Sequence, residues 1–289
     1  MANYESCCLA EIFLPNVESK EEFLDVATLL YRVSKHSLAL PCHNKETEKI
    51  VHKNMRMGIG ITGILQCPDK LDWCDYVYKE LRKYDKAYSK ERGWPASIKL
   101  TTTKPSGTLS LLPGVTAGIH PALTRYMIRR VRVASNSPLV QTCEAHGYPT
   151  EYAVQLDGSQ DYSTVVVEFP FAYPEGTIVA EEMTAIDQLE WIKKVQTVWS
   201  DNSVSCTVYY TPEELPAIRE YLANEYNHSF KTLSFFLHTG HGFVQAPIEP
   251  ITEEEYNRRV AASRLIVSID GAVAFDGSDD CASGACPIK

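Results

Sequence analysis

Two sets of residues in this 289-residue chain have types and spacing suited to chemistry. The first is Thr101-Thr102-Thr103-Lys104-Pro105-Ser106-Gly107-Thr108-Leu109-Ser110-Leu111-Leu112-Pro113-Gly114. Its β-branched opening reads as a strand that turns at Pro105 and Gly107 and runs on, through hydroxyl residues, into a helix start. Amides at a helix start have no intrahelical acceptor and sit at the positive end of the macrodipole. Ser106, Gly107, Thr108, Leu109 and Ser110 are therefore candidate phosphate ligands. An ordinary strand-to-helix turn with a Ser/Thr cap has the same composition.

The second set is thiols. Cys281 and Cys286 lie in a polar, glycine-containing stretch with four residues between them, and Cys7-Cys8 opens an apolar run. A disulfide that closes four tail residues stabilises little, whereas a dithiol close to the last residue can carry electrons to another site. Such a dithiol needs an acceptor, and Cys7 or Cys8 is half of a candidate. The nine cysteines show no zinc-ligand spacing with histidine, and most read as small buried hydrophobes.

A third pattern, Gly58-Ile59-Gly60-Ile61-Thr62-Gly63, matches the dinucleotide-binding fingerprint as a string. A nicotinamide-dependent oxidoreductase would need an acidic residue on a second strand about 20 positions on. Pro68 and a helical pattern follow instead, so glycines that allow close packing are the better reading.

The elements that must position these groups alternate. Leu9 to Leu14 reads as a strand, Lys20 to Leu40 as a helix, Met57 to Ile61 as a strand and Asp69 to Glu91 as a helix ending at Gly93. Ile128 to Val133 and Thr164 to Phe169 read as strands, and Glu181 to Trp199 as a helix. Ser203 to Tyr210 is then a strand, Pro212 to Tyr226 a helix and Thr232 to Leu237 a strand. The segment around His241 to Pro250 is loop-like, a short acidic helix follows, and Leu265 to Ile269 reads as one more strand. This order implies βαβ units and a largely parallel sheet.

A net charge of -9 argues against a general nucleic-acid or membrane-surface role, so an anionic ligand must meet local cations. Lys104, Arg125, Arg129, Arg130 and Arg132 are the nearby ones in sequence. With no apolar run of membrane-spanning length and no signal-peptide pattern at Met1 to Glu5, a cytoplasmic location is expected.

Six segments in order carry a resemblance: Cys7 to Glu11, Arg56 to Gly63, Thr103 to Ser110, Asn202 to Ser205, Gln245 to Pro250 and Cys281 to Lys289. Together they resemble the C-terminal part of the adenosylcobalamin-dependent (class II) ribonucleotide reductases, nearest the monomeric ribonucleoside-triphosphate type. The resemblance implies an α/β fold, the second half of a ten-stranded barrel of parallel βαβ units. Residues 1–240 would form that half, 241–275 an extension near the cobalamin, and 276–289 a flexible redox tail. It implies that the loop at Ser106 to Ser110 binds substrate phosphates and that Cys7 is one of two cysteines that reduce a ribonucleotide by thiyl-radical chemistry. Cys281 and Cys286 would re-reduce that pair and be recharged by thioredoxin or a similar reductant. The family's radical cysteine lies in an Asn-Pro-Cys-Gly-Glu motif that this sequence lacks. The expectation is therefore a split enzyme, completed by a partner chain that carries the finger motif and shares the adenosylcobalamin. A non-catalytic nucleotide-binding fragment of the same fold is the alternative, although such a binder would need neither Cys7 nor the tail pair.

Overall fold

A computed structural model describes residues 2–155, 157–237 and 244–267. In chain order the elements begin β1 (Cys8–Phe13), α1 (Lys20–Leu38), α2 (Lys45–Asn54), β2 (Met57–Thr62), α3 (Cys74–Arg92) and β3 (Thr101–Thr102). They continue with β4 (Tyr126–Ala134), α4 (Pro138–Ala145), β5 (Thr150–Val154), β6 (Gln160–Ala172), α5 (Ala185–Val198) and β7 (Thr207–Tyr210). The last are α6 (Leu215–Ser229), β8 (Ser234–Leu237), β9 (Ile248–Pro250) and α7 (Glu253–Ala262). The chain divides into two units, one of Met1–Arg125 with Tyr173–Gly240 and one of Tyr126–Ala172 with His241–Lys289.

The first unit is a parallel α/β layer. β1 pairs with β2 and β2 with β3, all parallel, and β7 pairs with β8 in the same sense. A parallel bridge between Thr103 and Val204 joins the two groups, with Asn202 N–H donating to Thr101 O and Ser205 N–H to Thr103 O. Five parallel strands thus follow in the order β1-β2-β3-β7-β8. β2 is buried at every position, as a central parallel strand requires.

Helices cover one side of these strands. Ser19 caps α1 by accepting from the Glu22 amide, and Phe23, Ala27, Tyr31 and Leu38 form its buried stripe. Phe23 stacks on Trp199, whose ring centroid is 5.3 Å away. Trp199 is buried, and its indole N–H is shared between Ile59 O (3.2 Å) and Thr102 O (3.1 Å). The indole therefore ties the helix layer to β2 and to the end of β3. α3 stops at Gly93, which takes the left-handed conformation that closes a helix at little steric cost. Between α1 and α3 the fully buried Lys35 ammonium donates to Asp85 (3.2 Å), Ser97 Oγ (3.0 Å) and Pro95 O (2.7 Å).

The second unit differs from the parallel arrangement read from the sequence. β4 pairs antiparallel with β6 and with β9, and β5 with β6, giving a sheet in the order β5-β6-β4-β9. The reason is local: a short hairpin with Gly158 at φ 83 returns β5 directly into β6, which a parallel pair cannot do. The segment read as loop near Pro250 supplies β9, while Leu265–Val267 carries no strand. Arg130 is held by Glu168 (2.8 Å) and Glu249 (2.6 Å), and Arg259 by Glu168 (2.7 Å) and Glu255. These ion pairs commit cations that the sequence offered to an anion: Arg130 is paired, and Arg129 lies 5.3 Å over the Phe171 ring.

Candidate functional site

The loop after β3 is built on the open face of the parallel strands. Side chains alternate along β1, so Ile12 points into the core beneath the helices while Leu9 and Glu11 lie over β2. In register, Leu9 stands opposite Gly58 and Glu11 opposite Gly60. A Cβ at Gly60 would fall on Glu11 Oε2 and come within 2.9 Å of its Cδ, so only glycine leaves room for this carboxylate. Both glycines lie inside β2 rather than in a turn that opens a helix. That placement removes the dinucleotide reading. The glycines admit side chains of neighbouring strands.

Glu11 reaches from β1 beneath the loop. Its side chain is 1% exposed; Oε1 accepts from Ser106 Oγ (2.8 Å), and Oε2 lies 2.6 Å from Lys104 Nζ. The Oε2 contact is a charge contact without hydrogen-bond alignment, and Oε2 has no hydrogen-bond partner among the described residues. Burial pushes the Glu11 carboxyl above the usual carboxylate range, against the pull of Lys104 and Ser106. Ser106 sits at φ 46, a left-handed conformation that disfavours residues with a Cβ, and its bond to Glu11 helps hold it there.

Beyond Ser106 the chain does not enter an α-helix. Leu109–Leu111 forms a single 3-10 turn, in which the Ser110 amide donates to Ser106 O (2.9 Å) and the Leu111 amide to Thr108 O (3.2 Å). The helix-start dipole expected from the sequence is therefore absent. What remains is a turn with Gly107, Thr108 and Leu109 exposed. Their amides donate to no protein acceptor among the described residues. Ser110 is buried, its hydroxyl donating weakly to Gly107 O (3.5 Å), so it closes the turn from inside.

Residues after the turn lock it to β2. Gly118 N–H donates to Thr62 Oγ1 (2.6 Å), Thr62 Oγ1–H to Thr116 O (3.1 Å), and Gly63 N–H to Thr116 O (3.0 Å). Gly118 has φ 56, and a Cβ there would fall on Lys104 O. His120 Nε2 accepts from the Thr207 amide (3.0 Å) at the start of β7, which fixes its proton on Nδ1, where it donates to Ala117 O (3.0 Å). Burial lowers the His120 pKa and so favours this neutral form.

Cys7 lies one residue before β1, half-buried, and strand alternation sets it on the side of Leu9 and Glu11, with Cys8 packed against the core. It is a free thiol whose pKa is raised, chiefly by burial and against the nearby Arg56 guanidinium. Arg56 is held by Glu5 (2.8 Å) and donates to Asn202 Oδ1 (3.2 Å). Asn202 in turn donates from Nδ2 to Met57 O (2.9 Å) and Thr101 O (2.8 Å), so this asparagine secures β2 and β3. Cys281 and Cys286 lie outside the described residues. Sequence reasoning gave Glu11 no role. Its signal was the pairing of a carboxylate with Gly60 across a parallel register, legible only once β1 and β2 are aligned.

No family model matches the chain. An adenosylcobalamin-dependent ribonucleoside-triphosphate reductase of Lactobacillus acidophilus is 31% identical over 342 aligned positions, which cover 100% of this chain and 44% of that protein. The enzyme of the same name from Euglena gracilis is 32% identical, covering 95% of this chain and 38% of its own length. A crystal structure of a B12-dependent (class II) ribonucleotide reductase superposes with a TM-score of 0.82 at 29% identity, over 92% of this chain and 41% of that one. The chain spans under half the length of these relatives. Sequence and fold together identify it as a relative of the adenosylcobalamin-dependent (class II) ribonucleotide reductases, matched over a portion of their length.

Proposed function

We propose that this chain is the substrate-gripping and reducing portion of an adenosylcobalamin-dependent ribonucleotide reductase acting on ribonucleoside triphosphates or diphosphates. Free amides of Gly107, Thr108 and Leu109, with Ser106 beside them, bind the phosphates. Cys7, with a second thiol from the rest of the enzyme, delivers two electrons and two protons to the ribose. The 2′-hydroxyl leaves as water, and the two thiols end as a disulfide. The Cys281/Cys286 dithiol then exchanges with that disulfide and is recharged by thioredoxin or a similar reductant. A raised Cys7 pKa suits this work, since the thiol keeps its proton at neutral pH.

The cofactor's fit is limited. Among the described residues no group of three His, Cys, Asp or Glu side chains is arranged to hold a metal ion. Adenosylcobalamin brings its cobalt inside its own ring, and no residue of this chain is assigned to it. The radical cysteine and its glutamate belong to family length that these residues do not span, carried in this reading by a partner chain with the Asn-Pro-Cys-Gly-Glu finger. Among the described residues no helix is long and apolar enough to cross a membrane. A cytoplasmic site of action accords with that.

One observation carries the reading: two features of separate chemistry, the Cys7 thiol and the loop at Ser106, stand on the same face of adjoining parallel strands, inside a match that spans the chain. The test is a mixing experiment. The chain alone, given adenosylcobalamin, a ribonucleoside triphosphate and thioredoxin, forms no deoxynucleotide; adding a chain that bears the finger motif starts turnover, and Cys7→Ser abolishes it. Turnover by the isolated chain, or full turnover with Cys7→Ser, sinks the proposal.

A further inference from the structure

We infer that Glu11 is the positioning residue of the phosphate loop, a buried carboxylate that holds Ser106 and Lys104 from beneath so that the amides of Gly107 to Leu109 stay free for phosphate. The inference rests on the substrate-loop reading above and assigns that loop its organising group.

Three observations converge. First, the carboxylate is almost fully buried, yet it serves no other element: its two oxygens meet only Ser106 Oγ and Lys104 Nζ. A buried carboxylate costs several kcal/mol unless it is compensated, so its retention marks a use. Second, space is reserved for it, since Gly60 directly opposite on β2 lacks the Cβ that would occupy the carboxylate's place. Third, it acts where the loop is strained. Ser106 at φ 46 would relax toward the right-handed or extended regions, and that rotation would turn the following amides away.

The charges explain how an anion can bind above a buried anion. Lys104 neutralises Glu11, so the loop meets phosphate with free N–H dipoles over a locally neutral pair rather than over a bare negative charge. Without Glu11 the lysine is released from the loop base and Ser106 loses the acceptor that fixes it. The loop then exchanges one held geometry for many, and the amides must be ordered again at each binding event.

Glu11→Gln keeps size and shape, and Glu11→Ala removes both contacts. In the free chain, hydrogen exchange is followed at Ser110, Leu111 and Leu112, the amides bonded within the turn, alongside those of β1 and β2. Both variants should raise exchange in the turn by about tenfold, the size expected from losing a hydrogen bond to a charged group. Strand protection and the melting temperature should hold, because a buried charge is removed. CTP and inorganic tripolyphosphate titrated into the same proteins should bind about tenfold more weakly to the variants. Unchanged turn exchange in both variants overturns the inference. So does a melting temperature that falls in step with a general loss of strand protection, since that marks a merely structural residue. If the unaltered chain binds neither ligand, the substrate-loop reading fails, and turn exchange alone still decides what Glu11 does.

Discussion

Replacing Trp199 with Phe tests whether the helix layer is fastened to the loop-bearing strands by one indole. Phenylalanine preserves the stacking on Phe23 but removes the N–H that Ile59 O and Thr102 O share. A buried acceptor deprived of its donor costs about 1–3 kcal/mol, and the space left by the lost ring adds about 1 kcal/mol. The expected loss is therefore about 3 kcal/mol. For a unit of about 190 residues, each kcal/mol lowers the melting point by about 2–4 °C, giving a fall of about 6–12 °C. Thermal unfolding followed by far-ultraviolet circular dichroism measures it. Hydrogen exchange at Ile59, whose amide donates to Leu100 O at 2.9 Å, reports whether the β2 to β3 junction is where stability is lost. Phe23→Leu serves as the control, since it weakens the stacking and leaves the N–H bonds. A fall under about 2 °C, or a larger one from Phe23→Leu than from Trp199→Phe, would refute the fastening role.

Acid should loosen the junction between the loop's exit and β7 through His120. Its folded pKa lies below the ordinary histidine value of 6.5, so its contribution is complete above that value and is lost as pH falls through the folded pKa. His120→Gln should flatten stability against pH below about 6.5, and an unchanged slope would show that another group is responsible. Gly118→Ala should be among the most damaging small substitutions in the loop, because a Cβ meets the Lys104 carbonyl and φ 56 disfavours alanine. A loss of about 2 kcal/mol or more by denaturant titration is expected, and a loss under about 0.5 kcal/mol would contradict it.

Much of the first unit was legible in the sequence. Ser19 with the Phe23, Ala27 and Tyr31 stripe announces α1, and Pro15 and Gly93 mark where β1 and α3 must stop. Elements with little apolar content were not: α2 buries only Val51, so its Asn44 cap was its chief signal, and no element was assigned there. The antiparallel sheet escaped because β-branched runs such as Val165 to Val167 look alike in either orientation, and pairing sense depends on connections. In the loop, the residue types read correctly as a turn after a strand, while the α-helix expected beyond it is a single 3-10 turn. Glu11 was invisible as a functional residue because its partners Lys104 and Ser106 lie over 90 positions away, joined to it only by strand order.

The chain leaves the first unit at Arg125 and re-enters it at Tyr173, and the Tyr173 amide donates to the Arg125 carbonyl at 3.0 Å. The intervening residues therefore depart and return through a closed gate. Evolution can lengthen, trim or exchange such an insert without moving the strands on either side, and a gene engineer can do the same. Synthesis sees the other side of this arrangement. The inserted β4 emerges early yet waits for β9, more than a hundred residues later, to cover its edge. The first unit is complete by Gly240, so it is the part able to fold first on the ribosome.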